Sequence, residues 1–334
     1  RIEKIMMKIN EKIFIAGSNG LVGGAIGKLL TNQGYGNIKL GGKLLCPKRS
    51  ELDLLEFESV KDWFKLNKPS IVIIAAAKVG GILANSSKPY DFIFENLRIE
   101  TNIIEASRLY GVKKLLFLGS SCIYPKFSKQ PIKEEYLLSG ELEPTNEGYA
   151  LAKIFATRLC EYINRENQKK DESVAQYKTL IPCNLFGRHD KFEPQHSHLI
   201  PAIIHKVHEA KVNNLPEVEI WGDGTARREF MYAGDLADAV LRALEDFDQI
   251  PNLINIGLGH DYSINDYYTV AAQVIGWQGN FVHDITKPVG TRQKMVDISR
   301  QRGWGWKPAT ALSTGIEKAY EYYYSELNSM EQKK

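Results

Sequence analysis

Lys12-Ile13-Phe14-Ile15-Ala16-Gly17-Ser18-Asn19-Gly20-Leu21-Val22-Gly23 decides how the rest of the chain is read. Its first five residues make a short, mostly apolar run of strand length. Val22, Ala25, Ile26, Leu29 and Leu30 then recur at helical spacing, so the glycines fall where a strand turns into a helix. Glycines at such a turn let backbone amides and a helix N-terminus approach a pyrophosphate that a β-carbon would hold off. Spacing alone also describes a plain tight turn. The strand before and the helix after favour a dinucleotide site at Gly17, Gly20, Leu21, Val22 and Gly23.

Outward from this turn, apolar runs at 43–46, 71–75, 115–118 and 179–181 read as strands, with helical patterns at 60–65 and 96–110 between them. This alternation predicts an α/β fold, a doubly wound parallel sheet of Rossmann-like type. Beyond it, loop signals separate helical patterns at 199–210, 235–247 and 264–275, and a Tyr-rich helix over 315–327 closes the chain. The reading is a dinucleotide-binding domain over 8–183 and a smaller C-terminal α/β substrate lobe over 184–327, joined without a clean hinge.

The 334 residues carry 43 basic and 40 acidic side chains with no dense basic block, which argues against a nucleic-acid partner. No apolar run approaches the roughly 20 residues that span a bilayer, so no membrane partner is expected. Cys46, Cys122, Cys160 and Cys183 are scattered, which fits neither a disulfide framework nor a zinc site and suggests a reducing, cytoplasmic setting. His196 and His198 invite a metal reading, but no further soft ligand accompanies them and no metal is expected.

An NAD site places a carboxylate about 20 residues past the glycines. Here the second strand runs into Cys46-Pro47-Lys48-Arg49. A charged hydrogen bond from Arg49 to a 2′-phosphate is worth about 1.5–3 kcal/mol and points to NADP (NADPH) as cofactor. The alternative leaves Lys48 and Arg49 solvated, with Glu51 or Asp53 holding a ribose hydroxyl.

Tyr149 and Lys153 stand four apart, on one face of a helix. An ammonium beside the phenol favours the phenolate, and bringing Tyr149 to about 7 needs roughly 4 kcal/mol of such stabilisation. Tyr149 then serves as the acid for a carbonyl receiving hydride, with Ser120, at a strand end, as a second donor to the same oxygen. Two residues on, Cys122 reads either as a small buried hydrophobe or as a reactive thiol.

With these residues in view the chain resembles the extended short-chain dehydrogenase/reductase family, from Ile13 to about Tyr324. The most specific stretches are Ala75-Ala76-Ala77-Lys78-Val79-Gly80-Gly81-Ile82, the segment containing Ser120, Glu143-Pro144-Thr145-Asn146-Glu147, Asn184-Leu185-Phe186-Gly187 with His189-Asp190, and Trp221-Gly222 with Arg228-Glu229-Phe230. The resemblance implies that Ser120, Tyr149 and Lys153 form a reductase triad and that Ala75, Ala76 and Ala77 line the cofactor. It implies that Cys122 and His189 transfer protons for epimerisation, and that Asn184, Trp221, Arg228 and Lys294 face a GDP-sugar. The implied reaction is epimerisation of GDP-4-keto-6-deoxy-D-mannose at C3 and C5, then NADPH-dependent reduction at C4, in a homodimer joined by a four-helix bundle. The alternatives are another GDP-4-keto sugar such as a 6-deoxyheptose, or a catalytically silent NADP-binding regulator. The sequence departs from the family pattern at Asn19 and Val289 and in a longer stretch over 166–178.

Overall fold

The computed structural model describes residues 8–168, 176–193, 197–287 and 290–331. Val289 and His196 lie outside them, as does most of the longer stretch beyond 168.

The first layer builds from β1 (Lys12–Ala16), α1 (Leu21–Asn32), β2 (Lys43–Leu45), α2 (Phe57–Asn67), β3 (Ile71–Ile74), α3 (Ile82–Ser87), α4 (Pro89–Leu109), β4 (Lys114–Leu118), α5 (Glu147–Gln168) and β5 (Gln176–Pro182). Because side chains alternate along a strand, Ile13 and Ile15 of β1 enter one apolar cluster while Phe14 and Ala16 enter another. Ile71 and Ile73 of β3 divide from Val72 and Ile74 in the same way. A sheet apolar on both faces must be covered on both, which is why the crossovers are helices.

The second lobe follows as β6 (Asn184–Phe186), α6 (Leu199–Val212), β7 (Glu217–Trp221), β8 (Arg227–Arg228), β9 (Phe230–Tyr232) and α7 (Ala233–Glu245). It continues through β10 (Leu253–Ile256), β11 (Tyr262–Ser263), α8 (Ile264–Ile275), β12 (Asn280–Asp284), β13 (Gln293–Lys294), α9 (Ser299–Trp304) and α10 (Leu312–Glu331). Its own core gathers Ile203, Ile204, Val207, Tyr267, Ala271 and Ile316 from α6, α8 and α10.

The main sheet has the order β10-β5-β4-β3-β1-β2, all parallel. Two of its parts come from beyond residue 184. Strand β10 pairs with β5, and α7 packs on α1, placing Leu236 and Val240 in the cluster that holds Ile26 and Leu30. The division expected at 183/184 is therefore a division along the chain and not in space: one face of the sheet needs a second covering helix, and α7 supplies it. Chain direction reverses between β1, which leads outward to β2, and β3, which leads the other way, so a crevice opens beyond the carboxyl ends of those strands.

Candidate active site

That crevice is a cavity of ≈ 970 Å³ bordered by both lobes. At its floor Gly17 has φ of +82°, and a β-carbon there would lie 2.7 Å from the backbone N of Ala76, so only glycine lets the ends of β1 and β3 meet. Gly23 is buried rather than lining the cavity, and a β-carbon on it would lie 2.1 Å from the Gly17 carbonyl oxygen. Helix α1 starts at Gly20 with no side-chain cap and no acidic residue in its first turn. Its first amides therefore face the cavity without a competing acceptor, the setting that suits a pyrophosphate.

Ala75, Ala76, Ala77 and Arg49 line the same end. Glu51 accepts a hydrogen bond from the Lys48 N–H at 2.7 Å and Asp53 accepts one from the Leu55 N–H at 3.0 Å. Glu51 is thus engaged in a local turn, Asp53 lines the cavity with one oxygen engaged, and Arg49 makes no ion pair among the described residues. The donor set fits a 2′-phosphorylated dinucleotide.

Beyond β4 the chain tightens into a single 3-10 turn, Ser121–Ile123, capped by Ser120, whose Oγ accepts from the Cys122 N–H at 3.4 Å. The Ser120 hydroxyl also hydrogen-bonds the Tyr149 phenol and the Cys122 thiol. Cys122 is buried, and that burial pushes its thiol above the ordinary value, with Lys294 pulling partly back. Tyr149 and Lys153 project from one face of α5. Lys153 is 2% exposed: its Nζ donates to the Leu118 carbonyl at 3.0 Å and lies 2.9 Å from Glu100 Oε1.

The expected shift of Tyr149 toward 7 is not what the structure gives. Burial above all, then Cys122 and Glu100, push the phenol well above its ordinary value, with the Ser120 hydroxyl pulling partly back. In its resting form the site holds a phenol, an acid, beside the serine hydroxyl.

Asn184 and Lys294 join this group in the cavity wall. Lys294 sits on β13 opposite Arg228 on β8, and burial lowers its pKa. Trp221 stands at the end of β7, half-exposed, with the ammonium groups of Lys206 and Lys287 5.5 and 5.6 Å from its ring centroid. Trp221 and Arg228 lie outside the cavity wall proper, on the lobe that borders it.

His189 departs from expectation. It is exposed, at φ of +64°, and its Nδ1 is paired at 3.1 Å with the hydroxyl of Tyr322 on α10. It does not line the cavity with Cys122. Asp190 does not hold it; that carboxylate accepts instead from the Lys191 N–H at 2.9 Å. The histidine that does line the cavity is His198, at the N-cap of α6. Its ring keeps solvent contact through the open cleft, while the walls around it, and then Lys191, lower its pKa. The signal for it in the sequence was its place immediately before the apolar helix at 199–210, which puts a side chain at a helix start facing the first lobe.

The NAD dependent epimerase/dehydratase family model matches residues 13–257. The chain belongs to this family. It is 46% identical to a GDP-L-colitose synthase of Yersinia pseudotuberculosis over 95% of this chain and 99% of that protein. It is 42% identical to a GDP-L-fucose synthase of Escherichia coli K12 over 94% and 96%. Among solved structures, a GDP-mannoheptose C4 reductase from Campylobacter jejuni with NADP bound superposes with a TM-score of 0.83 at 35% identity, covering 95% of this chain and 99% of that one. Family and fold agree with the resemblance carried by the glycine turn and by Tyr149 and Lys153, and the chain is an enzyme of the nucleotide-sugar epimerase/reductase class.

Proposed function

We propose that the protein converts GDP-4-keto-6-deoxy-D-mannose to GDP-L-fucose by epimerisation at C3 and C5 and NADPH-dependent reduction at C4. The observation that carries this reading is the shared cavity wall. Ser120, Tyr149 and Lys153 stand there with a thiol, Cys122, and an imidazole, His198. A plain reductase has no use for the last two.

Protons at C3 and C5 flank the C4 ketone, so removing either leaves an enolate whose oxygen takes hydrogen bonds from Ser120 and Tyr149. Inversion needs a proton acceptor on one face of the ring and a donor on the other. His198 and Cys122 fill this pair of roles in place of His189 and Cys122. Bound NADPH supplies the hydride that reduces C4, and Tyr149 gives the proton to the oxygen. Arg49 and the first turn of α1 hold the cofactor's phosphates; Asn184, Arg228, Lys294 and Trp221 hold the GDP-sugar. Exposed Tyr90 and Phe94 on α4, with Leu151, Phe155 and Tyr162 on α5, supply the apolar face of a homodimer.

A second reading has its own support, since a relative at 46% identity bears the name of a colitose synthase and solved structures at 33% and 35% bear those of heptose reductases. It takes another GDP-4-keto sugar, such as a heptose, or performs only part of the sequence of steps. Turnover of GDP-4-keto-6-deoxy-D-mannose with NADPH in heavy water, read by NMR, separates the two. GDP-L-fucose carrying deuterium at C3 and C5 is the expected product. Reduction with deuterium at one carbon or at neither supports the second reading and rejects the first.

A further inference from the structure

Glu100 lies in the middle of α4, 0% exposed, on the face that carries Phe92, Ile103 and Ile104 into the core. A carboxylate there is costly unless paired, and an apolar residue would fill the same space without that cost. Its one charged neighbour among the described residues is Lys153, with Nζ 2.9 Å from Oε1. Both carboxylate oxygens are buried and neither is in hydrogen-bonding geometry with a partner, so the contact with Lys153 is one of charge. The Lys153 ammonium also lies 4.7 Å from the centroid of the Phe117 ring and 5.7 Å from that of Tyr149. The ammonium that faces the phenol is therefore one half of a buried ion pair.

We propose that Glu100 is a positioning residue that fixes the direction of proton transfer at C4: by neutralising Lys153 it keeps Tyr149 as a phenol, so that the site gives a proton to the reduced oxygen rather than taking one from an alcohol. The proposal rests on the reductive reading above for its purpose, though not for its test. A lone ammonium several ångströms from a phenol favours the phenolate. An ammonium already paired with a carboxylate has little net field left to do so. The other groups facing this pair do not replace Glu100. Cys160, on α5, is a packed thiol whose pKa burial and Glu100 both raise. Cys122 adds a negative influence on Tyr149, Ser120 donates a neutral hydrogen bond to it, and Lys294 faces Cys122.

Glu100→Gln removes the charge and keeps the shape. With Lys153 no longer neutralised, the phenolate is favoured and the Tyr149 pKa falls. Protein labelled with [13C]tyrosine, with the Tyr149 signal assigned by Tyr149→Phe, is titrated by NMR with NADPH bound. The expected result is a Tyr149 midpoint about one to two pH units lower in Glu100→Gln than in the wild type, and a midpoint restored by Glu100→Asp. In turnover, the alkaline limb of reductive kcat, which requires the phenol, moves down by the same amount. The acidic limb of alcohol oxidation, which requires the phenolate, moves down with it. A structural role alone would lower both rates and leave both limbs in place. If Glu100→Gln does not fold, Glu100→Leu fills the same apolar space and carries the same titration. An unmoved Tyr149 midpoint in whichever variant folds overturns the proposal, whatever sugar the enzyme uses; failure to turn over GDP-4-keto sugars rejects the proposed function and leaves the titration to decide Glu100.

Discussion

His198 and His189 show how much a single side chain's direction decides. Both stand in one loop-rich stretch, His189 between Arg188 and Asp190 and His198 between Ser197 and Leu199, yet only His198 lines the cavity with Cys122. His198→Gln is expected to lower solvent deuterium uptake at the inverted carbons by about 100-fold or more. His189→Gln, which loses only the Tyr322 hydrogen bond, is expected to stay within a few-fold of wild type in the same NMR assay. Equal losses in the two variants would reverse the assignment. At the other end of the cavity, Arg49→Ala is expected to weaken the preference for NADPH over NADH by about ten- to a hundredfold, the worth of one charge-assisted hydrogen bond. The ratio of kcat/KM for the two cofactors measures it, and an unchanged ratio would move the 2′-phosphate contact elsewhere.

Elements place these groups by their ends. Ser120 stands where β4 stops, Gly20 where α1 starts, and His198 where α6 starts, so each functional atom is fixed by a backbone that is itself held in a ladder or a helix. Helix α8 starts with a capping box: Ser263 accepts from the Asp266 N–H while the Asp266 carboxylate accepts from the Ser263 N–H. Ser263→Ala is expected to cost about 1 kcal/mol of global stability in urea unfolding while leaving kcat unchanged, because α8 packs on α6 and α10 away from the reacting groups. A loss of activity exceeding the loss of folded protein would show that the start of α8 also steers the neighbouring strand β8 and, with it, Arg228.

At the scale of the whole molecule, α4 and α5 serve two purposes. Their inner faces hold Glu100 and Lys153 beside the sheet, while Tyr90, 67% exposed, and Phe155, 50% exposed, remain outside, left uncovered by the described residues. An apolar patch of aromatic side chains on a packed helix pair is a surface for association. Phe155→Glu is expected to convert a dimer into a monomer in sedimentation velocity at micromolar concentration. A wild type that sediments as a monomer would reject the homodimer. Within the second lobe, Glu229 is buried and ties the end of β10, which belongs to the main sheet, to its neighbours: it accepts backbone N–H groups of Leu258, Gly259 and Val296, while its own carbonyl accepts from the Asn184 side chain.

The sequence alone was enough for the layered α/β fold, since apolar runs and helical spacing are local signals and a two-faced sheet is their ordinary consequence. The glycine turn, Arg49, Ser120 and the Tyr149–Lys153 pair, singled out from neighbours within a few positions, all line the one cavity. Three things depended on contacts between distant segments. The return of α7 and β10 to the first sheet is a matter of which face remained uncovered. Which histidine lines the cavity, His198 rather than His189, depends on how a loop of the second lobe meets the strand ends of the first. The buried partnership of Glu100 with Lys153 joins two helices far apart in the chain, and no spacing rule reports it, because a charge in a helix pattern looks solvated until the fold closes over it.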